Sequence, residues 1–353
     1  MDIQKLLQMC VQYQSSDLHL VVGSQPHLRV HGELVPVPES SILTPEVAKG
    51  LITPIMGEEQ REIIEVDREI DFGYSLPSGE RFRINVYQEK GNIAAAMRYI
   101  PSKIASIDEL GLPQILSDLT SLKQGLVLVT GPTGHGKSTA QAAMIDKINR
   151  ERSEHIVTIE DPIEFVHNPV KSIISQRELH ADTHSWGVAL KSVLREDPNV
   201  VLIGEMRDYE TIESALTIAE TGHLVFATLH TNSAAQTVDR VVDVFPESEQ
   251  MQVRSQLASI LEAVISMRLI PSIDKRRVPV VEILLANPAV RSTIRDGKTH
   301  MLTNVMQTAG DAGMRTFDMA LADAYAAKKV DLTVAREFSV NLDEFNRLVA
   351  RSI

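Results

Sequence analysis

The chain has 353 residues, enough for about two domains, and its 43% hydrophobic and 23% charged residues exclude a disordered or fibrous chain. Acidic residues outnumber basic ones 47 to 35, and the resulting formal charge of −12 disfavours nonspecific adhesion to nucleic acid or anionic lipid. The single cysteine, Cys10, excludes an intramolecular disulfide and a multi-cysteine zinc site. Lying among Leu6, Leu7 and Val11 in a helical pattern, it is expected to be a packed thiol. The longest apolar runs, LVLV at 126–129 and VVLI at 200–203, have strand length, well short of a membrane span. The start, MDIQKLLQMCVQYQSSD, carries no export signal, so a cytosolic location is expected.

In chain order, residues 1–100 read as a small α+β domain. An amphipathic helix over 2–13 is followed by strand-like LHLVV (18–22) and HLRVHGELVPV (27–37), then a helical stretch near 45–66. DFGYSL (71–76), RFRINVYQ (81–88) and IAAAMRYI (93–100) are further strands, with SGE (78–80) as a turn. Pro101 and the polar segment to Pro113 form an expected linker, because each proline biases its predecessor away from helix. From 114 to 353 short apolar strands alternate with helices. GLVLVT (125–130) leads into a helix over about 137–151, followed by HIVTIE (155–160), SIIS (172–175), NVVLIG (199–204), a helix over 208–220 and HLVFATLH (223–230). This grammar indicates a buried, largely parallel sheet covered on both faces. Beyond about 234 the pattern reads as helical, with Leu257, Ile260, Leu261, Val264 and Ile265 on one face of a long helix.

GPTGHGKS at 131–138 is a complete phosphate-loop motif, placed after an apolar strand and before a helix. Gly131, Gly134 and Gly136 let the backbone close around phosphate, and the helix N-terminus supplies free N–H groups. Lys137 is expected to reach the β- and γ-phosphates and the Ser138 hydroxyl to ligate magnesium; Pro132, Thr133, His135 and Thr139 complete the nucleotide-binding stretch. His135 occupies a free position of the motif and is expected to face solvent.

Hydrolysis also needs carboxylates for metal and water. Glu160, Asp161 and Glu164 crowd together in IEDPIEF (159–165), and Glu205, followed by Arg207, ends the strand of LIGEMRD (202–208). Both turns fall at the C-terminal ends of strands, where open α/β sheets collect their ligands. His230, in TLHTN, is placed near the γ-phosphate; His223 begins the same strand-like run and is a further candidate. HADTH (180–184) pairs two histidines at helical spacing but lacks a third ligand, so it reads as structural.

GPTGHGKST, TIEDPIEFVH (158–167), LREDPNVVLIGEMRD (194–208) and AETGHLVFATLHTN (219–232) resemble, in order and spacing, the Walker A, Asp-box, Walker B and His-box motifs of type IV pilus retraction ATPases. SDLHL (16–20), LRVHGEL (28–34), FRINVYQ (82–88) and GMRTFDMAL (313–321) extend the likeness over nearly the whole chain. The resemblance implies a PAS-like N-terminal domain, a RecA-like ATPase domain with a helical C-terminal part, a homohexamer, ATP and Mg2+ as cofactors, and docking on an inner-membrane platform protein at the cytoplasmic base of the pilus. From the acidic charge and the short apolar runs, neither a nucleic-acid partner nor membrane insertion is expected. The resemblance makes Glu164 the water-activating carboxylate, Glu205 the Walker B acid that holds magnesium directly or through water, and His223 with His230 the His-box pair. Arg83 and Arg98 match arginines that reach the active site from another N-terminal domain.

Three departures stand out. His135 replaces the family's usual serine, Thr139–Ala140 replaces a threonine pair, and the retraction-associated motif, typically AIRNLIRE, reads AVRSTIRD at 289–296, keeping Ala289, Arg291, Ile294 and Arg295. Pilus-extension and type II secretion ATPases share the four boxes but typically add a long N-terminal region and a four-cysteine insertion, so retraction is the preferred reading. The same core could also serve a nucleic-acid translocase or a nonenzymatic ring subunit. Acidic charge argues against the translocase, and the complete lysine and carboxylate set against the nonenzymatic subunit.

Overall fold

The computed structural model describes residues 2–30, 32–100 and 103–352, which fall into two compact units. The first comprises Met1–Lys103 together with Asp161–Val166, and the second Ile104–Glu160 with His167–Ile353. The six residues after Glu160 thus leave the second unit, which the contiguous domain boundaries expected from sequence do not provide for.

The first unit contains α1 (Ile3–Gln12), β1 (Asp17–Leu20), β2 (His27–Val30), β3 (Glu33–Pro36), α2 (Pro45–Ile52), α3 (Glu58–Asp67), β4 (Glu69–Ser75), β5 (Arg81–Glu89) and β6 (Asn92–Ile100). Its strands form one antiparallel sheet in the order β3-β2-β1-β6-β5-β4. HLRVHGELVPV is therefore a hairpin rather than one strand. Alternating residues of β5, Phe82, Ile84 and Val86, are buried against Leu18, Leu20 and Met97, as the period of two in a half-buried strand requires. Asp2 caps α1 by accepting from the Lys5 N–H. Cys10 is fully buried and its thiol pKa is pushed up to about 11 by that burial, consistent with a packed role.

The second unit runs through α4 (Ile115–Leu119), β7 (Gly125–Thr130), α5 (Lys137–Glu151), β8 (His155–Glu160), β9 (Ile173–Glu178), α6 (Trp186–Val193), β10 (Val200–Ile203), α7 (Tyr209–Glu220), β11 (Leu224–Leu229), α8 (Ala234–Asp243), α9 (Glu247–Ile260), β12 (Leu261–Pro271) and β13 (Arg277–Leu285). It closes with α10 (Pro288–Arg295), α11 (Leu302–Thr308), α12 (Phe317–Ala326), α13 (Leu332–Phe338) and α14 (Leu342–Ser352). The sheet order is β13-β12-β7-β11-β10-β8-β9, parallel except for β13. Strands β7, β10 and β11 are buried along their whole length, with separate apolar clusters on the two faces.

Two expectations are corrected here. The long helix through Leu257–Ile265 ends at Ile260; Leu261 takes an extended conformation (φ −62°, ψ 129°) and starts β12. The apolar spacing fits a helix equally well, but β12 is inserted between β7 and β13 and is buried from both faces, so its sequence is a continuous apolar run. The expected linker also differs. Pro101 and Ser102 lie outside the described residues, and from Ile104 the chain already belongs to the second unit, with Ile107 and Leu112 buried beside Leu116, Val127 and Met144.

Candidate active site

The phosphate loop follows the last residue of β7, and its shape is dictated by its neighbours. Gly131 has φ +138°, and a Cβ there would come within 2.2 Å of the Met267 carbonyl oxygen on β12. Gly136, at φ +88°, caps α5 without any side-chain acceptor, so the first N–H groups of this 15-residue helix are presented to an incoming anion. Lys137 folds back over the loop: its Nζ donates to the carbonyls of Gly131 (2.9 Å) and Pro132 (3.0 Å) and reaches His230 Nδ1 at 3.3 Å.

His230 follows β11, which lies next to β7, so the register places it beside the loop. An ammonium can only donate, so Nδ1 accepts from Lys137 and Nε2 carries the proton that meets Glu205 Oε1 at 2.9 Å. Thr133 Oγ1 lies 3.5 Å from the same Nδ1. Glu205 is fixed by the backbone on either side of it: the Gly204 N–H donates to Ile159 O on β8 (2.8 Å) and the Met206 N–H to Thr228 O on β11 (3.0 Å). Arg207 Nη2 holds the second carboxylate oxygen at 2.7 Å. Partial burial pushes the Glu205 pKa up, yet the Arg207 hydrogen bond and the neighbouring His230, Arg207 and Lys137 outweigh it and hold the carboxyl below its ordinary value. Lys137, His230, Glu205 and Arg207 thus form one continuous polar chain across the strand ends.

The remaining candidates have partners of their own. Glu160 is buried at the end of β8, accepting from Thr158 Oγ1 (2.6 Å) and Gln176 Nε2 (3.1 Å). Asp161 and Glu164 belong to the first unit, where Glu164 Oε1 lies 3.6 Å from Arg83 Nη1; Arg83 also lies 3.6 Å from Asp71. Arg98 Nε bonds Asp17 Oδ1 at 2.9 Å.

His223 is not brought to the phosphate loop of its own chain. It precedes β11, so the six-residue strand puts it about 20 Å from His230, at the sheet's opposite end. There its Nδ1 lies 3.0 Å from Ile218 O, and it lines a polar cavity of about 390 Å³ with Lys123, Arg152, Glu154 and Asn199. His135 is also corrected: instead of facing solvent, its Nδ1 accepts from the Leu269 N–H at 3.0 Å. Arg277, which the sequence reading missed, donates to Gly134 O at 3.3 Å. The KRR run at 275–277 marked a basic turn, but only the β12–β13 pairing carries Arg277 to the loop. Leu179, just before HADTH, forms a β-bridge with Thr183 inside it, and among the described residues no group of three His, Cys, Asp or Glu side chains could hold a metal.

These residues fit a nucleotide's phosphates: a backbone cradle that a Cβ would fill, an uncapped helix start and a converging ammonium. They also fit magnesium, which binds through one or two protein oxygens plus phosphate and water, because Ser138 follows the lysine and Glu205 is held ionised.

The family model of the type II/IV secretion system protein matches residues 1–300. The type IV pilus retraction ATPase PilT of Pseudomonas aeruginosa is 47% identical over 337 residues, covering 96% of this chain and 98% of that protein. A twitching motility protein of Neisseria gonorrhoeae is 51% identical over 299 residues, covering 84% of this chain and 79% of its own length. A crystal structure of the pilus retraction motor PilT with bound ADP superposes with a TM-score of 0.92 at 42% identity, covering 98% of this chain and 99% of that one. Sequence, fold and the polar chain at the phosphate loop agree: this chain belongs to the type II/IV secretion system protein family, among its type IV pilus retraction ATPases.

Proposed function

We propose that the chain is an ATP-hydrolysing motor subunit that powers retraction of a type IV pilus, with twitching motility as the cellular output. The observation that carries this reading is the Lys137–His230–Glu205 chain at the mouth of the phosphate loop. It brings together the group expected on the phosphates and the carboxylate expected on the metal, two parts that a nucleotide-hydrolysing site combines.

In this reading residues 131–139 hold the phosphates and Lys137 orients the terminal one. Ser138 and Glu205 would hold magnesium, and that ion would neutralise charge on the phosphate oxygens. Glu164 takes the proton of the attacking water. Arg83 and Arg98, carried on the N-terminal unit, serve a site in a neighbouring subunit of a homohexamer. The first unit, Met1–Lys103 with Asp161–Val166, acts as the PAS-like domain, and the second, Ile104–Glu160 with His167–Ile353, as the RecA-like ATPase domain. The ring works in the cytoplasm against an inner-membrane platform protein at the pilus base. With Cys10 as the only cysteine, the four-cysteine insertion of extension and secretion ATPases has no counterpart here, which favours retraction.

Steady-state ATPase assays with and without DNA separate a motor of this kind from a translocase, whose turnover DNA would stimulate. Deletion of the gene should give hyperpiliated, nonmotile cells; bald cells would transfer the protein to pilus extension.

A further inference from the structure

Strand β7 ends at Thr130, paired with Ser266, but β12 runs on through Met267–Pro271. The edge of β12 that faced β7 therefore continues past its partner strand, and a partly buried N–H there needs an acceptor from elsewhere. His135 supplies it for Leu269 at 3.0 Å. The same stretch of β12 contacts the loop at two other points. The Met267 carbonyl occupies the space a Cβ of Gly131 would need, and the Met267 and Leu269 side chains lie 3.4–3.9 Å from the position of a Cβ on Gly136. From β13, Arg277 donates to Gly134 O.

We propose that His135 is a positioning residue that pins the phosphate loop to the open edge of β12, so that tight nucleotide binding depends on the bond from Leu269. The bond requires a neutral ring, with Nδ1 unprotonated. The surroundings keep it so: burial first, then the charges of Arg277, Lys137 and Arg268, hold the imidazole below its ordinary pKa. The serine usual at this position in the resembling family carries its oxygen one bond nearer the backbone, so the tether belongs to this chain's own departure from the pattern. The proposal rests on the loop being a nucleotide site.

The test uses the full chain with a fluorescent ATP analogue, steady-state hydrolysis and amide hydrogen exchange at Leu269. His135→Ala should weaken nucleotide binding about tenfold, the upper end of the scale for one lost hydrogen bond, raise KM more than it lowers kcat, and speed exchange at Leu269. His135→Asn puts Oδ1 the same number of bonds from the backbone as Nδ1 and should recover both affinity and protection. If the Ala variant does not fold, His135→Gln, whose acceptor lies one bond farther out, replaces it with the same expected result. Wild-type affinity in the Ala or Gln variant overturns the proposal, and so does equal weakening in the Asn variant. Lys137→Ala separates the two levels. If it binds the analogue like wild type, the nucleotide reading fails; if it binds poorly while His135→Ala leaves affinity and exchange unchanged, the tether alone fails.

Discussion

Asp17 on β1 and Arg98 on β6 stand directly opposite one another, and Arg98 Nε donates to Asp17 Oδ1 at 2.9 Å. The same transverse row continues on both sides: Arg83 on β5 is the register partner of Arg98, and Arg29 on β2 is that of Asp17. Two guanidiniums directly opposite each other repel, and carboxylates on both sides offset this: the largely buried Asp17 beside Arg98, and Asp71 and Glu164 beside Arg83. The Arg98 side chain remains 70% exposed.

If Arg98 serves another subunit's phosphates, Asp17 aims it. Asp17→Asn should leave ATP affinity near wild type and lower turnover by up to about 10²-fold, the scale of a small misplacement of an aligned group. Adding it to Arg98→Ala should cost nothing more, because the residue it positions is already gone. Additive losses in the double variant would show that Asp17 acts by another route.

Lys137→Ala should nearly abolish hydrolysis while the protein still folds. One ammonium–phosphate contact is worth roughly 4 kcal/mol at ~4 Å and an effective dielectric of ~20, which corresponds to far more than tenfold in rate. Retention of more than about a tenth of the turnover would remove the lysine from its assigned role.

Glu164→Gln separates binding from chemistry. Loss of a positioned proton acceptor should cut turnover by about 10²–10⁴ with nucleotide affinity intact. Since Glu164 pairs with Arg83 at 3.6 Å, Arg83→Ala should also lower turnover. Equilibrium binding alongside initial rates decides the matter: weakened binding with normal turnover in the Gln variant would make Glu164 a nucleotide contact instead.

Acid should destabilise the second unit through His167. Burial lowers its pKa from 6.5 to about 4, with Asp146 opposing the shift. The folded state therefore resists protonation that the unfolded chain accepts. The stabilisation is fully present above about pH 6.5 and is lost as pH falls from there towards about 4, by about 3 kcal/mol in total. Thermal melts across that range should show His167→Gln losing less stability on acidification than the wild type. Parallel curves would mean that other groups carry the acid lability.

The phosphate loop, the extents of α5 and α7, and the two carboxylate-bearing strand ends were legible from sequence, because each rests on local rules: glycine where backbone must approach closely, a helix opening behind the loop, and short apolar strands. What sequence left open depended on which strand lay beside which. Leu257–Ile265 satisfies a helical period, and only pairing with β7 and β13 turns its second half into a strand. His223 and His230 belong to one motif, but a strand separates its two ends, and the parallel register delivers only His230 to Lys137. His135 and Leu269 are far apart in sequence and meet because β12 outlasts β7. A residue's neighbours along the chain state its own preferences, whereas its hydrogen-bond partner across a sheet edge is decided by register, which no local pattern records.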